Sequence, residues 1–324
     1  MPHSHPWLAI SRSPPEPKDP RSAPAPTEPP ERVIKFLEDI WKDPANKKET
    51  DAFMDNFMCQ YWARAPQPEG AKFDKEGLEA LGLKGHTDFV LAIKTFQAFA
   101  VQDYFYLVDS IKFYALRLTK VGTDLDDIKA QELKIRRCVE YAEEWKKICI
   151  DREQLGIEES RLAKTKAKTP NQNTDSRAEQ QGADESPAPT ERSIAELAYS
   201  NYLQNHTSSE SFFNLHVVTA ACIYGWHKLA ERLIKDSRTK DNFFCKYWIK
   251  EALRSKSYEK LDKFLTDQKS AYEAQEEGIS TKRWNELFRT ALRLEVALFE
   301  SSMDFFPPDD VESLRKRTFP TSWH

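Results

Sequence analysis

An all-α protein is what this sequence predicts, and three observations carry the expectation. Proline is confined: ten of the nineteen lie in residues 1–30, none occurs from Glu69 to Thr169, and none from Thr190 to Phe306. Glycine is scarce, with nine in 324 residues. Within the two proline-free windows apolar residues recur three or four apart, the period of a helix with one buried face. No stretch shows the sustained two-residue alternation of strands.

The first thirty residues, including SPPEPKDPRSAPAPTEPP, read as a disordered proline-rich tail. Helices are then expected over Glu31–Trp41, Lys48–Ala63 and Asp74–Leu81. Lys94–Leu118 is a very aromatic helix with apolar residues at 96, 99, 100, 106, 107, 113 and 114. Asp124–Arg152 carries Leu125, Ile128, Ile135, Cys138, Val139, Ala142, Trp145 and Cys149 on one helical face. Residues 155–190 include TKAKTPNQNTDSRAEQQGADESPAPT, which lacks large apolar side chains and reads as a low-complexity inserted loop. The later half supplies Ile194–Gln204, Phe212–Ile234, Asp241–Gln268 and Thr281–Met303, and 306–324 is a C-terminal tail. One helical domain over 31–305 accommodates all of these, because closing a long inserted loop costs only ~0.6 kcal/mol per doubling of its length.

Composition excludes several functions. The formal charge is −4, from 48 basic and 52 acidic residues, and the pI is near 6.1, unlike the basic footprint of a nucleic-acid binder. Lys164, Lys166 and Lys168 read as part of a solvated segment. Apolar runs fall far short of the ~20 residues that span a bilayer, and no stretch resembles a signal peptide. Five cysteines without C-x-x-C spacing suit a reducing compartment, most simply the cytoplasm. His216 and His227 have no E-x-x-H partner, and no HExxH, EF-hand, zinc-cysteine, GxGxxG or P-loop pattern occurs, so no metal site and no cofactor are expected.

Four helices hold polar residues against an apolar background. Asp103 sits in FQAFAVQDYFYLVDSIKFYAL, with Tyr106 one turn later on the same face and Ser110 beyond it. A solvated edge carboxylate and a site carboxylate are both open readings there. Cys222 and Trp226 stand at i and i+4 in NLHVVTAACIYGWHKLAERL, with Gly225 between them allowing close approach. A free cysteine in such a helix is otherwise a small buried hydrophobe. Glu295, in ALRLEVALFESSM, must be paired or take up a proton if buried; Arg289 and Arg293 are available as partners. Tyr199, in ELAYSNYL, is a site candidate or ordinary packing.

Taken together, these stretches resemble the TenA/thiaminase II family, which has a haem-oxygenase-like helical fold. FAVQDYFYLVDSIKFYA is similar to that family's Q-D-Y-x-Y-L helix, AYSNYL to its A-Y-T/S-x-x-L helix, and TAACIYGWHKLAERL to L-P-C-x-W-x-Y-x-x-x-G-x-x-L. YWIKEA resembles the W-I-x-x-Y segment and FRTALRLEVALFESS the closing F-x-x-A-x-x-L-E helix. The likeness runs in order over about 31–305. It implies Cys222 as nucleophile, Glu295 and Asp103 as proton-managing and pyrimidine-holding carboxylates, and Tyr106 and Tyr199 as substrate-binding walls; Trp226, one turn after Cys222, is a further substrate-binding candidate. Departures are Ala252 in place of the W-I-x-x-Y tyrosine, Ala221 before the cysteine, Tyr224 and Trp226 after it, and no H-P-F in the first helix.

The resemblance implies a cofactor-free hydrolase that cleaves the C–N bond between an aminopyrimidine methylene and its leaving group, in thiamin salvage or degradation. It further implies a small-molecule aminopyrimidine-like substrate, no nucleic acid or membrane partner, and a homo-oligomer, dimer or tetramer. Two other readings stay open: a haem-oxygenase-like enzyme of specialised metabolism with a different substrate, including a metal-dependent oxidase, and a non-catalytic helical interaction protein.

Overall fold

A computed structural model describes residues 35–162, 192–275, 280–307 and 312. Twelve α-helices make up most of it: α1 (Phe36–Lys42), α2 (Lys47–Met54), α3 (Phe57–Arg64), α4 (Lys75–Leu83), α5 (Thr87–Leu118), α6 (Leu125–Ile150), α7 (Ile194–Ser209), α8 (Phe212–Val218), α9 (Trp226–Lys235), α10 (Lys250–Arg254), α11 (Ser257–Gln275) and α12 (Ser280–Glu300). Two π-helical turns, Ala221–Gly225 and Cys245–Ile249, lead into α9 and α10. The described residues form an all-α bundle.

Helix α5 is the axis. It spans 32 residues, about 48 Å at 1.5 Å per residue. Its middle is apolar on nearly every side, as a helix enclosed by neighbours should be. It packs chiefly against α6 and α7, while α12 closes against α2, α7, α8 and the first π turn. Trp62, Phe96, Phe99, Trp145, Phe244 and Trp248 meet in edge and tilted geometries across α3, α5, α6 and the second π turn. Two of the buried indoles are satisfied: Trp62 donates to Thr95 Oγ1 at 3.0 Å and Trp145 to the Ala100 carbonyl at 3.2 Å.

Helix starts follow capping chemistry. The side chains of Asn56, Asp74, Asp124, Ser193 and Ser211 each accept a backbone N–H of the first turn they precede. Asn56 also explains a difference from the expected single helix over Lys48–Ala63. Its cap starts α3 afresh and divides the stretch in two. Likewise Phe212–Ile234 is broken by the π turn that carries Cys222, and Asp241–Gln268 by the second π turn and by Ser255, whose extended backbone separates α10 from α11. Apolar periodicity is blind to such interruptions, because a one-residue bulge or a short break leaves the buried face nearly continuous.

The inserted loop expected over 155–190 needs a correction at its start. Residues 155–162 are packed structure, with Leu155, Ile157 and Leu162 buried. Gln97 of α5 ties them down, donating to the carbonyls of Phe73 and Leu155 at 2.8 and 2.6 Å. Gly156 has φ +60°, and a Cβ there would come within 2.7 Å of the Asp74 backbone nitrogen, so a side chain would push the segment off α4. The rest of that loop, the tail 1–30 and nearly all of 306–324 lie outside the described residues. Among the described residues no helix is long and apolar enough to cross a membrane.

Candidate active site

Glu295 of α12 is the centre of a closed polar cluster. It is 2% exposed, and its Oε1 accepts a 2.6 Å hydrogen bond from the Tyr199 hydroxyl of α7. The Cys222 thiol and the Trp226 indole lie near enough to hydrogen-bond the same carboxylate. Neither Arg289 nor Arg293 serves it: Arg289 reaches the Ala45 carbonyl and Arg293 pairs with Glu49. Burial therefore dominates, lifting the Glu295 pKa from 4.5 to about 7 against the pull of its three donors.

The π turn explains how one helix aims two donors at one acceptor. A π turn widens the helix by one residue and is frequent at functional sites. Here it spans Ala221–Gly225 and ends at Trp226. A Cβ on Gly225 would meet the Phe53 ring at 3.2 Å, so glycine lets the turn sit against α2. Cys222 is buried, and desolvation together with the neighbouring Glu295 and Asp103 carboxylates pushes its thiol pKa well up. The resting thiol is protonated, poised next to a carboxylate that can take its proton.

Asp103 and Tyr106 complete the cluster from α5. The Tyr106 ring lies 4.5 Å from that of Tyr199, tilted by 34°. Asp103 is buried, and its Oδ2 has no hydrogen-bond partner. Desolvation, with Glu295 and Glu196 adding repulsion, pushes its pKa well up and favours the protonated form. Trp226 packs edge-on to Phe299 at 4.7 Å and to Trp248 at 5.2 Å. The structure thus brings Asp103, Tyr106, Tyr199, Cys222, Trp226 and Glu295 together from four parts of the chain.

Several neighbours were not singled out from sequence. Cys59 of α3 is fully buried within electrostatic reach of Glu295, and Tyr141 and Cys149 of α6 lie within reach of Asp103. Tyr114 of α5 and Lys134 of α6 lie within reach of Cys222. Of these only Lys134 carried a usable signal, as a cation without a nearby acidic residue on its own helical face. Tyr258, six residues past Ala252, stacks on His227 at 4.0 Å and packs near Tyr224. All five cysteines are free. Among the described residues no three His, Cys, Asp or Glu side chains cluster to hold a metal ion.

By its likeness to solved structures, the all-α bundle has the haem-oxygenase-like helical fold. Three of the solved structures it resembles are TenA proteins. A TenA homologue from Pyrococcus furiosus matches at 15% identity with a TM-score of 0.55, over 83% of this chain and 100% of that one. A TenA homologue from P. horikoshii OT3 matches at 14% and 0.55, over 83% and 99%. A TenA family transcription regulator from Silicibacter sp. TM1040 matches at 16% and 0.55, over 85% and 98%. The family model for TENA/THI-4/PQQC matches residues 90–188, less than half of the chain. That stretch holds Asp103 and Tyr106, while Tyr199, Cys222 and Glu295 lie outside it. No curated protein matches.

Proposed function

We propose that this chain is a thiaminase II-like hydrolase acting on an aminopyrimidine with a methylene-linked nitrogen leaving group. The observation that carries the reading is the Glu295 carboxylate, buried, near-neutral in pKa, and within hydrogen-bonding reach of the Cys222 thiol. In this reading the Cys222 sulfur attacks the pyrimidine methylene as its proton passes to Glu295. A C–S bond forms and the C–N bond breaks; the leaving nitrogen keeps the bonding pair and, where it is an amine, takes the proton now on Glu295. Water then attacks the same carbon, the C–S bond breaks with its electron pair on sulfur, and the Cys222 thiolate takes up the proton that water loses. Asp103 and Glu295 hold the amino and ring-nitrogen groups, and Tyr106 and Tyr199 flank the flat ring. The unpartnered Asp103 Oδ2 is the protein atom that such a ring would satisfy. The chain is further proposed to form a homo-oligomer, for which light scattering at micromolar protein is the measurement.

The test is mass spectrometry of incubations with thiamin, aminomethyl-aminopyrimidine and N-formyl-aminopyrimidine, with and without chelator. Wild type should release hydroxymethyl-aminopyrimidine from at least one. Cys222→Ser should lose most turnover while still binding, because the shape survives and the nucleophile does not. Turnover that persists in Cys222→Ser but stops with chelator would overturn the reading in favour of a metal enzyme.

A further inference from the structure

Two cations close to the Cys222 side of this cluster have no counter-charge. Arg117, near the end of α5, is 1% exposed. Its Nε and Nη2 both donate to Gln131 Oε1 of α6, at 3.2 and 2.8 Å, and its guanidinium carbon lies 4.6 Å from the Tyr114 ring centroid. Its Nη1 is buried and has no hydrogen-bond partner. Lys134, one turn beyond Gln131, is half-buried and places Nζ 4.6 Å from the same Tyr114 ring. Neither cation forms an ion pair among the described residues, and burial is the largest influence on each.

Elsewhere several enclosed cations are paired. Arg192 bridges Asp109 and Glu196, Arg283 meets Glu210, and Arg64 meets Asp236. Against that pattern, two cations on one aromatic ring repel each other. A guanidinium N–H left buried and unpaired also forfeits a bond worth more than the usual neutral one. Gln131 and Tyr114 offset this only in part, since a neutral amide oxygen and a ring face carry no full charge. An oxyanion is the group that would satisfy Nη1 and neutralise both cations, through the charge-assisted contacts that arginine makes best.

We propose that Arg117 Nη1 and Lys134 Nζ form an oxyanion-binding subsite next to the Cys222 end of the cluster. Its ligand is a phosphate ester or a carboxylate carried by the substrate. Tyr114 links the two sites: its ring lies against both cations, and its hydroxyl acts electrostatically on Cys222. For the pyrimidine end the inference rests on the function proposed above, and it adds that the leaving group bears the anion. The cation pair itself stands apart from that function.

The experiment is calorimetric titration of the full chain with sodium sulfate, as the phosphate mimic, and with sodium acetate, as the carboxylate mimic, at pH 8 in buffers of different ionisation heat. Burial and Arg117 hold the Lys134 pKa down at about 7, so an anion arriving at pH 8 should draw in up to one proton. Wild type should bind one of the two salts saturably with proton uptake; sulfate preference assigns a phosphate, acetate preference a carboxylate. Lys134→Gln should weaken binding at least tenfold and abolish the uptake, and Lys134→Arg should restore binding without it. Arg117→Met should bind as weakly as Lys134→Gln, but because Arg117 is buried the Lys134 variants decide if it fails to fold. Absence of saturable binding by either salt, or unchanged binding in Lys134→Gln, overturns the subsite. If sulfate binds as expected but no aminopyrimidine does, the proposed reaction fails and the anion subsite stands.

Discussion

The Tyr199 hydroxyl donates a 2.6 Å hydrogen bond to Glu295 Oε1 with both side chains buried. A carboxylate with three available donors and no cation would ordinarily be either firmly ionised or firmly protonated. Here the donors and the desolvation nearly balance, and the group titrates at about 7. A carboxylate poised there can both take a thiol proton and return it at neutral pH.

A pH profile follows. If ionised Glu295 removes the Cys222 proton, kcat/KM should climb tenfold per pH unit below about pH 7 and flatten above it. The acid limb should vanish in Glu295→Gln, together with most of the turnover. A rate that does not change between pH 5 and 8 would remove Glu295 from the proton transfer.

Glu295 should also leave a mark on stability. Its folded pKa is raised above the unfolded value, so the native state binds its proton more tightly than the unfolded chain does. The associated stability is fully present below pH 4.5 and is lost as pH rises to about 7. A shift from 4.5 to about 7 corresponds to roughly 3 kcal/mol at about 1.4 kcal/mol per unit. Glu295→Gln cannot titrate. In urea melts its stability relative to wild type should therefore rise by about that amount between pH 4.5 and 8, whatever its absolute value.

Removing one donor should move the same pKa predictably. Tyr199→Phe deletes the 2.6 Å bond and favours the protonated carboxyl. The acid limb should shift upward by about one pH unit, since a hydrogen bond to a charged group is worth roughly 1.5–3 kcal/mol. An acid limb that stays in place would mean Tyr199 does not hold Glu295 during turnover.

The helices and the polar positions were legible because both are written in local pattern. Asp103, Cys222 and Glu295 stand out as polar groups in apolar helical faces, Tyr106 and Tyr199 follow from the family motifs around them, and Trp226 stands one helical turn after Cys222. What pattern does not record is partnership across the fold. Arg293 looked available to Glu295 but is drawn to Glu49, and nothing in the local pattern marks Arg117 Nη1 as buried without a hydrogen-bond partner. The π turn at Ala221–Gly225 was equally hidden, because it changes the aim of Cys222 without changing apolar spacing. The packing of 155–162 was hidden for another reason: its three apolar anchors sit at the head of a polar stretch and were averaged into it.

The last prediction concerns the ion-pair network that seats α7 against α5. Arg192 pairs with Asp109 of α5 and Glu196 of α7 and reaches Ser200 Oγ at 3.2 Å, while the Ser193 backbone N–H donates to Gln102 Oε1 of α5 at 2.7 Å. The two carboxylates respond differently. Hydrogen bonds and charges from Lys112 and Arg192 overcome the desolvation of Asp109 and hold its pKa below the usual range. Glu196, more deeply buried, keeps a raised pKa because its desolvation outweighs the help from Arg192 and Ser200. Arg192→Leu would leave Glu196 without a cation and Asp109 with only Lys112, and stranding a buried charge costs about 3–5 kcal/mol. Thermal and urea melts should show a loss of that size. Truncating the exposed pair Lys47 and Asp51 to alanine should change stability by less than about 1 kcal/mol. Part of the Arg192→Leu loss should return at low pH, where both carboxyls are protonated and need no partner. A loss that is equally large at pH 3 would assign the effect to packing of the arginine stem rather than to its charge.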